Sequence, residues 1–247
     1  MKQSLFTMEH ARQLTADTYE LVLSGDTSAI TAPGQFVNIQ LPGKFLRRPI
    51  SICNWTKDAL LLLVRVVGEG THDLVRCVPG TELDVLSGLG NGFDLAKGGT
   101  HPILLGGGIG IAPLYGLAQR MLEAGIAPTV GLGFRSGGDA FYLEEFGKLG
   151  CRLMVATEDG SLGTKGFVTD LVRHVPECGY AFVCGPTPML KAVHGLPQLT
   201  GGQFSFEARM GCGFGACMGC SCKTLTGYKR ICKDGPVMRK EEILWEA

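Results

Sequence analysis

Residues 102–113 read PILLGGGIGIAP, an apolar run that ends in a glycine-rich loop and continues into a predicted helix. Pro113 suits the first turn of a helix, where a missing N–H costs nothing. The glycines let backbone amides and the positive end of the helix approach a pyrophosphate closely. The dinucleotide fingerprint is only partly present, because Gly106 and Gly108 fit it but Ile111 occupies the place of the third glycine. By itself, the loop fits a nucleotide site and a tight strand-to-helix turn equally well.

The alternation of apolar runs and helix-like stretches continues downstream of this loop. Apolar runs at this spacing suit buried parallel strands, and the stretches between them suit crossover helices. We therefore predict a doubly wound, parallel-sheet α/β domain over residues 98–200. Its predicted strands cover residues 102–105, 129–134, 152–156 and 180–184, and its predicted helices cover residues 113–124, 143–149, 168–175 and 188–195.

A second candidate nucleotide contact follows the last of these strands, where the chain reads Cys-Gly-Pro. Ligands of open α/β sheets bind outside the carboxyl ends of the strands, so this turn should face the same crevice as the glycine loop. Cys184 would lie beside a nicotinamide ring or be a buried thiol at a strand end. The candidate NAD contacts are Gly107, Gly108, Gly110, Cys184, Gly185 and Pro186.

The choice between NAD and NADP is left open by the residues themselves. The strand at residues 129–134 is followed by Arg135 and Ser136. An acidic residue that grips a ribose hydroxyl is missing there, so the usual sequence indication of NAD is absent.

Residues 1–97 have a different pattern, with short alternating or β-branched runs separated by Pro-Gly turns. Such a pattern predicts an antiparallel Greek-key barrel. One short helix is predicted at residues 71–77. The predicted strands cover residues 19–23, 36–41, 60–67 and 83–86.

Cysteines are crowded near the end of the chain, where five of the ten fall within residues 212–232. Cys212, Cys217 and Cys220 have the x4 and x2 spacing of plant-type ferredoxins, and Cys232 follows after eleven residues. Glycines between them allow a loop to wrap closely around a [2Fe–2S] cluster. Structural zinc is the rival interpretation, but zinc prefers two separated C-x2-C pairs, and this cluster contains only one. Cys222 is assigned to packing.

Residues 201–247 form a predicted small cluster domain that needs a metal or another staple to hold itself together. In a reducing compartment, clustered cysteines bind metal more often than they form disulfides. The scattered cysteines at positions 53, 77, 151 and 178 are interpreted as small buried apolar residues.

Composition excludes several other classes of protein. The 23 basic residues equal the 23 acidic ones, so the chain has no field to attract nucleic acid or an anionic membrane. Hydrophobic residues make up 45%, which argues against disorder. The first residues lack the apolar core of a signal peptide, and the aliphatic run at residues 59–64 is too short to span a bilayer. We therefore expect a cytoplasmic protein without a membrane partner.

A flavin site in the barrel is weakly indicated by the residues alone. Arg48 can neutralise a phosphate, Ser51 can reach a ring nitrogen, and the Gly70-Thr71 pair opens a helix that can bind phosphate oxygens. The competing interpretation is that Arg47 and Arg48 are solvated surface charges.

The order of these motifs along nearly the whole chain resembles the ferredoxin reductase family. The motifs are Arg48-Pro49-x-Ser51, Gly70-Thr71, the loop at residues 106–113, Cys184-Gly185-Pro186 and the terminal cysteine run. The resemblance implies a [2Fe–2S] cluster on Cys212, Cys217, Cys220 and Cys232. It also implies that FAD is bound by Arg48, Pro49, Ile50, Ser51, Leu63, Val64, Arg65, Gly70 and Thr71.

The runs at residues 207–217 and 232–237 resemble, more narrowly, the electron-transfer subunits of NAD-dependent dihydroorotate dehydrogenases. That resemblance implies an FMN-containing catalytic subunit as partner, in a heterotetramer of two subunits of each kind. Two alternatives remain: a flavin subunit of a ferredoxin:NADP oxidoreductase or hydrogenase complex, and a non-catalytic nucleotide-sensing module stabilised by zinc.

Overall fold

The first part of the chain folds into a closed, antiparallel six-stranded barrel. Its strands are β1 (Lys2–Gln13), β2 (Thr18–Gly25), β3 (Phe36–Ile39), β4 (Arg48–Trp55), β5 (Ala59–Arg65) and β6 (Glu82–Leu89), and a short helix, α1 (Glu69–Val75), follows β5. They are arranged in the order β1-β2-β5-β4-β3-β6. Because β2 lies beside β5 and not beside β3, the barrel has the crossed connection of a Greek key. The computed structural model describes residues 1–245.

The barrel core is filled from alternate positions of these strands, as the pleat requires. On β3, Val37 and Ile39 are completely buried inside the barrel. The predicted strands at residues 19–23 and 83–86 lie within β2 and β6, and those at residues 36–41 and 60–67 correspond to β3 and β5, which end two residues earlier than predicted. Sequence reasoning missed β1, where only Phe6 and Met8 are buried, so its alternation is weak. It also missed β4 as a full strand, because Pro49 and adjacent arginines hide the pattern.

The second part is an α/β sandwich around one sheet. Its elements are β7 (Ile103–Gly107), α2 (Ala112–Glu123), β8 (Thr129–Phe134), α3 (Leu143–Lys148), β9 (Arg152–Thr157), β10 (Thr164–Lys165), α4 (Val168–Leu171), β11 (Tyr180–Cys184), α5 (Thr187–His194) and β12 (Gly201–Ser205). These six strands pair in parallel. The predicted α/β elements are confirmed. Within residues 1–245, no helix is long and apolar enough to cross a membrane.

The sheet reverses its direction of growth between β7 and β11. Its order is β10-β9-β8-β7-β11-β12, so the chain moves outward from β7 on one side and from β11 on the other. Such a switch point opens a crevice outside the carboxyl ends of the two central strands. The glycine loop after β7 and the Cys-Gly-Pro turn after β11 both lie there.

The C-terminal segment is anchored in the same sheet. After β12 come a two-stranded hairpin, β13 (Ser221–Thr224) and β14 (Gly227–Arg230), and then β15 (Val237–Arg239). β15 pairs antiparallel with β12 at the sheet edge. The cysteine loop therefore leaves and re-enters a sheet that other strands already support, which differs from the expectation of a tail held mainly by metal. The domain limits at residues 97 and 200 stay predictions.

Helix α2 joins the glycine loop to the flavin-candidate strand β4. A Cβ at Gly116 would lie 2.5 Å from the carbonyl oxygen of Cys53, so the helix rests directly on the strand backbone. One turn further along, Asn54 Nδ2 donates to Gln119 Oε1 at 2.7 Å. Helix α2, which follows the glycine loop, is thus held against the last residues of β4 by backbone packing and one side-chain hydrogen bond.

A buried polar network adds a second link between barrel and sheet. Tyr142, which precedes α3, donates its hydroxyl to Glu20 Oε2 on β2 at 2.6 Å. Arg12 Nε and Nη2 each donate to the same carboxylate at 3.0 Å. Burial opposes ionisation of Glu20, but these donors hold its pKa below the usual value. The carboxylate is therefore stable in its charged form between the two parts.

Candidate functional site

A cavity of about 440 Å³ lies at the switch point, between the sheet and the barrel. The glycine loop contributes Gly107 and Gly108, and the turn after β11 contributes Pro186. The barrel closes the opposite side with Asp17 and Arg65, whose Oδ2 and Nε atoms are 2.7 Å apart. Among the described residues that line the cavity, Gly110, Cys184 and Gly185 are absent.

The glycines of the loop are required by close approach and by backbone conformation. A Cβ at Gly110 would lie 2.5 Å from the carbonyl oxygen of Cys184 and 2.7 Å from Cα of Gly185. Gly108 has a φ of +52°, in the left-handed region. The loop and the Cys-Gly-Pro turn therefore touch backbone to backbone. Burial raises the pKa of Cys184 to about 12, which keeps it a neutral thiol.

Acidic residues reach the cavity from two places that sequence reasoning passed over. Asp139 follows β8 after a short turn, and Glu158 directly follows β9. Arg135 lies beside them at the end of β8. Because parallel strands end at the same edge of a sheet, the strand-end argument that identified Cys184 applies equally to Glu158, directly after β9.

Two flavin candidates on the barrel, Arg48 and Gly70, are in contact although they lie far apart in the sequence. Arg48 begins β4, and its guanidinium lies on the backbone of Gly70, where an added Cβ would collide with Nε. Arg48 also donates to the Leu46 carbonyl. By contrast, Arg47 forms a two-pronged ion pair with Asp84, at 3.0 and 2.8 Å. Within residues 1–245 Arg48 forms no ion pair, so its charge is available to a phosphate, and its role as an FAD ligand stays a prediction.

The edge of β5 is open on the side that faces β4. Pairing between the two strands ends at Ile52 and Leu62. Leu63, Val64 and Arg65 lie beyond the last paired position, and the side chains of Leu63 and Val64 are buried in cores. Any ligand contact from these two residues therefore comes from the backbone. Ser51 is exposed next to this gap, whereas Ile50 faces the barrel core.

Thr71 has a local task within the turn that begins α1. Its hydroxyl accepts hydrogen bonds from the N–H groups of Val67 and Gly68, at 2.9 and 3.3 Å. The same hydroxyl donates to the Gly68 carbonyl at 3.0 Å. Thr71 thereby shapes the backbone against which Arg48 rests, and its own role as an FAD ligand stays a prediction.

Arg48→Ala should weaken FAD binding by about ten- to a hundredfold, because a charge-assisted hydrogen bond contributes roughly 1.5–3 kcal/mol. Titration of the FAD-free protein with FAD measures the dissociation constant. The matched control is Arg76→Ala, since Arg76 is an exposed arginine just after α1. Equal FAD affinity in the two variants would show that Arg48 is a surface charge.

The cysteine loop is wrapped so that amides point at sulfurs. Cys212 Sγ accepts hydrogen bonds from the backbone N–H groups of Ala216 and Cys217, at 3.3 and 3.4 Å. Gly213 and Gly215 have φ values of +79° and +90°, which side chains disfavour. These amide bonds, against the opposing effect of burial, lower the pKa of Cys212 to about 6. A loop of this kind favours a thiolate, as cluster ligation requires.

The four candidate ligands form two pairs. Cys217 Sγ accepts from the Cys212 N–H at 3.5 Å, and Cys220 Sγ accepts from the Cys232 N–H at 3.4 Å. Among residues 1–245, no three His, Cys, Asp or Glu side chains converge closely enough to hold one metal ion. Structural zinc needs four ligands around one ion. Two thiol pairs suit a [2Fe–2S] cluster, in which two irons share four cysteines.

Cys222 lies apart from these pairs. It is on β13 opposite Lys229, and it packs against the apolar core beside the hairpin. Burial raises the pKa of its thiol. Arg230, at the end of the same hairpin, closes the cysteine loop: it donates to the Gly215 carbonyl at 3.0 Å and to both carboxylate oxygens of Asp234. Cys222 is therefore placed as a packing residue rather than at the mouth of the loop.

Two family models match the chain. Residues 207–244 match the iron–sulfur cluster binding domain of dihydroorotate dehydrogenase B, and residues 104–195 match the oxidoreductase NAD-binding domain. Two curated relatives are dihydroorotate dehydrogenase B (NAD(+)) electron transfer subunits. The one from Geobacillus sp. (strain WCH70) is 41% identical and covers 99% of each chain. The one from Shouchella clausii (strain KSM-K16) is 42% identical and covers 98% of each chain.

Solved structures give the same fold. A structure of NADH-dependent reduced ferredoxin-NADP oxidoreductase is 30% identical, with a TM-score of 0.89 over 98% of this chain and 90% of that one. The ferredoxin reductase in carbazole 1,9a-dioxygenase, at 21% identity and a TM-score of 0.66, covers 78% of this chain and 64% of its own, and shows the fold alone.

Fold, cavity and cysteine loop together define an oxidoreductase subunit of the ferredoxin reductase type, with FAD, a [2Fe–2S] cluster and NAD as its cofactors. The full-length identity with the curated relatives narrows this class. The chain belongs to the family of dihydroorotate dehydrogenase B (NAD(+)) electron transfer subunits.

Proposed function

We propose that this chain carries electrons between NAD(H) and an FMN-containing catalytic subunit that oxidises dihydroorotate to orotate in pyrimidine biosynthesis. The observation that supports it most is the adjacency of three sites on one chain. Arg65 borders both the nucleotide cavity and the open edge of β5. Phe36 on β3, the neighbour of β4, packs in one core with Cys220 and Cys232. A path from nucleotide to cluster therefore crosses neighbouring strands of the barrel and one shared core.

The residues of the chain bind and position the cofactors, and do not themselves react. FAD, when bound, exchanges a hydride's two electrons with NAD, and the cluster passes single electrons. Arg48 supplies positive charge for a phosphate, Ser51 offers a hydroxyl at the open edge, and the glycine loop brings amides to the NAD pyrophosphate. The amides of the cysteine loop tune the cluster potential.

A protein partner is supported by the surface around the cysteine loop. Cys217 is exposed, and exposed apolar side chains surround this region of the chain. Phe214, Met218, Leu225 and Tyr228 have exposed fractions of 42, 55, 64 and 74%. Exposed Met and aromatic residues in one region are typical of protein interfaces. We place the catalytic subunit here, in a heterotetramer of two subunits of each kind in the cytoplasm, where thiols stay reduced.

The test is an anaerobic assay in which this chain, the catalytic subunit, dihydroorotate and NAD⁺ are combined. Dihydroorotate gives up two electrons and two protons; NAD⁺ takes up one hydride equivalent, and one proton is released. We expect equal amounts of orotate and NADH from the pair, and no coupled reaction from either subunit alone. If both subunits hold their cofactors and no coupled product forms, the proposal is wrong.

A second candidate partner follows from the 0.89 TM-score with the NADH-dependent ferredoxin-NADP oxidoreductase structure. In that function, the chain would exchange electrons with a subunit that handles ferredoxin and NADP. The same protein is assayed with NADH, reduced ferredoxin and NADP⁺ in place of dihydroorotate and NAD⁺, with that subunit supplied. Coupling in this assay alone would favour the second candidate.

A further inference from the structure

Asn38 occupies the middle of β3 and is 1% exposed. Its neighbours Val37 and Ile39 point into the barrel core. Since successive side chains of a strand point to opposite faces, Asn38 points out of the barrel. An amide side chain buried on this outer face needs partners for both its donor and its acceptor.

The N–H group of the Asn38 side chain is hydrogen-bonded to the cysteine loop. Asn38 Nδ2 donates to the Cys212 carbonyl oxygen at 3.2 Å. A Cβ at Gly213 would collide with the same Nδ2, so the loop rests directly on the amide. The first candidate ligand of the cluster is thus tied by its own backbone to the barrel.

The acceptor of this amide has no partner. Within residues 1–245, Oδ1 of Asn38 is buried and accepts no hydrogen bond. A buried acceptor left alone costs about 1–3 kcal/mol, so its retention indicates a donor supplied by a bound group.

The face on which Asn38 lies also carries two of the flavin candidates on β4. In the antiparallel pair of β3 and β4, Asn38 is opposite Pro49, and Phe36 is opposite Ser51. Directly opposite residues have their side chains on the same side of the sheet. Asn38, Pro49 and Ser51 therefore share one outer face, with the cysteine loop at its border.

We propose that Asn38 is a further FAD-binding residue: Oδ1 accepts a hydrogen bond from an N–H of the flavin ring while Nδ2 holds the Cys212 backbone. One side chain then fixes the distance between flavin and cluster. This inference rests on the proposed function, because it needs FAD on the face of Pro49 and Ser51. Asn38 acts here as a binding and positioning residue and takes no part in bond making.

The test compares Asn38→Ala and Asn38→Asp with the unmodified full chain, purified anaerobically. Loss of one hydrogen bond predicts an FAD dissociation constant about tenfold higher in Asn38→Ala. Asn38→Asp has the same size and keeps an acceptor but loses the donor, so it should bind FAD more tightly than Asn38→Ala does. In both variants, the EPR spectrum of the reduced cluster should change, because the Cys212 carbonyl loses its donor.

The matched control is Asn91→Ala. Asn91 also ties the C-terminal segment to the barrel, donating to the Val237 carbonyl at 2.7 Å and accepting from the Val237 N–H at 2.9 Å. It should leave the FAD dissociation constant unchanged. Unchanged FAD affinity in Asn38→Ala, whatever its EPR spectrum, or equal weakening in Asn91→Ala, would overturn the inference alone. An unmodified chain that binds no FAD would overturn the proposed function and the inference with it.

Discussion

Cys217→Ser is expected to lose most of its iron and acid-labile sulfide while keeping its fold. A serine hydroxyl is a poor ligand for iron that prefers soft thiolates. Cys217 is one of the four paired thiols and is the exposed member of its pair. The segment around it should stay folded, because β12 and β15 anchor it in the sheet and Arg230 clamps it to Asp234. Iron and sulfide analysis of anaerobically purified protein measures the loss.

The matched control for this variant is Cys222→Ser, which changes a nearby cysteine that packs in the core and lies outside the two pairs. It should keep its iron. NADH should still reduce FAD in Cys217→Ser, since the nucleotide cavity lies at the other end of the path. A full iron–sulfur signal in Cys217→Ser, with loss in Cys222→Ser, would mean that the ligand set is wrong.

Gly110→Ala is expected to lower kcat/KM for NADH by about tenfold, with FAD and cluster retained. The added methyl would lie 2.5 Å from the Cys184 carbonyl oxygen and 2.7 Å from Cα of Gly185. Both neighbours are backbone, so neither can rotate away, and the glycine loop and the Cys-Gly-Pro turn must separate. Overpacking of this kind costs roughly 1–3 kcal/mol, and about 1.4 kcal/mol corresponds to a factor of ten.

Gly147→Ala is the control for the glycine variant. Gly147 lies in α3, has no left-handed φ, and an added Cβ there meets no atom within 4 Å. Alanine in a helix is favoured over glycine by up to about 1 kcal/mol, so this variant should be as active as the unmodified chain and slightly more stable. Steady-state rates with NADH and an artificial electron acceptor measure both variants. Equal rates in Gly110→Ala would show that contact between the two loops is dispensable for NADH binding.

The α/β part was predictable because its signals are local. Strands β7, β8 and β11 are apolar and mostly buried. Glycine or proline follows each of them, either in the turn or at the start of the next helix. The four paired cysteines were predictable for the same reason, since their spacing within one loop carries the chemistry.

Other features depend on pairing between distant segments, which no local pattern reveals. Strand β12 begins with two glycines and β15 has three residues, so neither has a strand signature. The role of Asn38 follows only from its register with Pro49 and from its contact with Cys212, 174 residues away, so the sequence does not reveal it.

The most direct test of the electron path is anaerobic addition of NADH to the purified chain, with flavin absorbance and cluster EPR followed in one sample. The three sites on packed elements predict that the flavin absorbance falls and that the EPR signal of a reduced [2Fe–2S] cluster then appears. A flavin that is fully reduced beside a cluster that stays oxidised, with iron and sulfide content intact, would contradict this account.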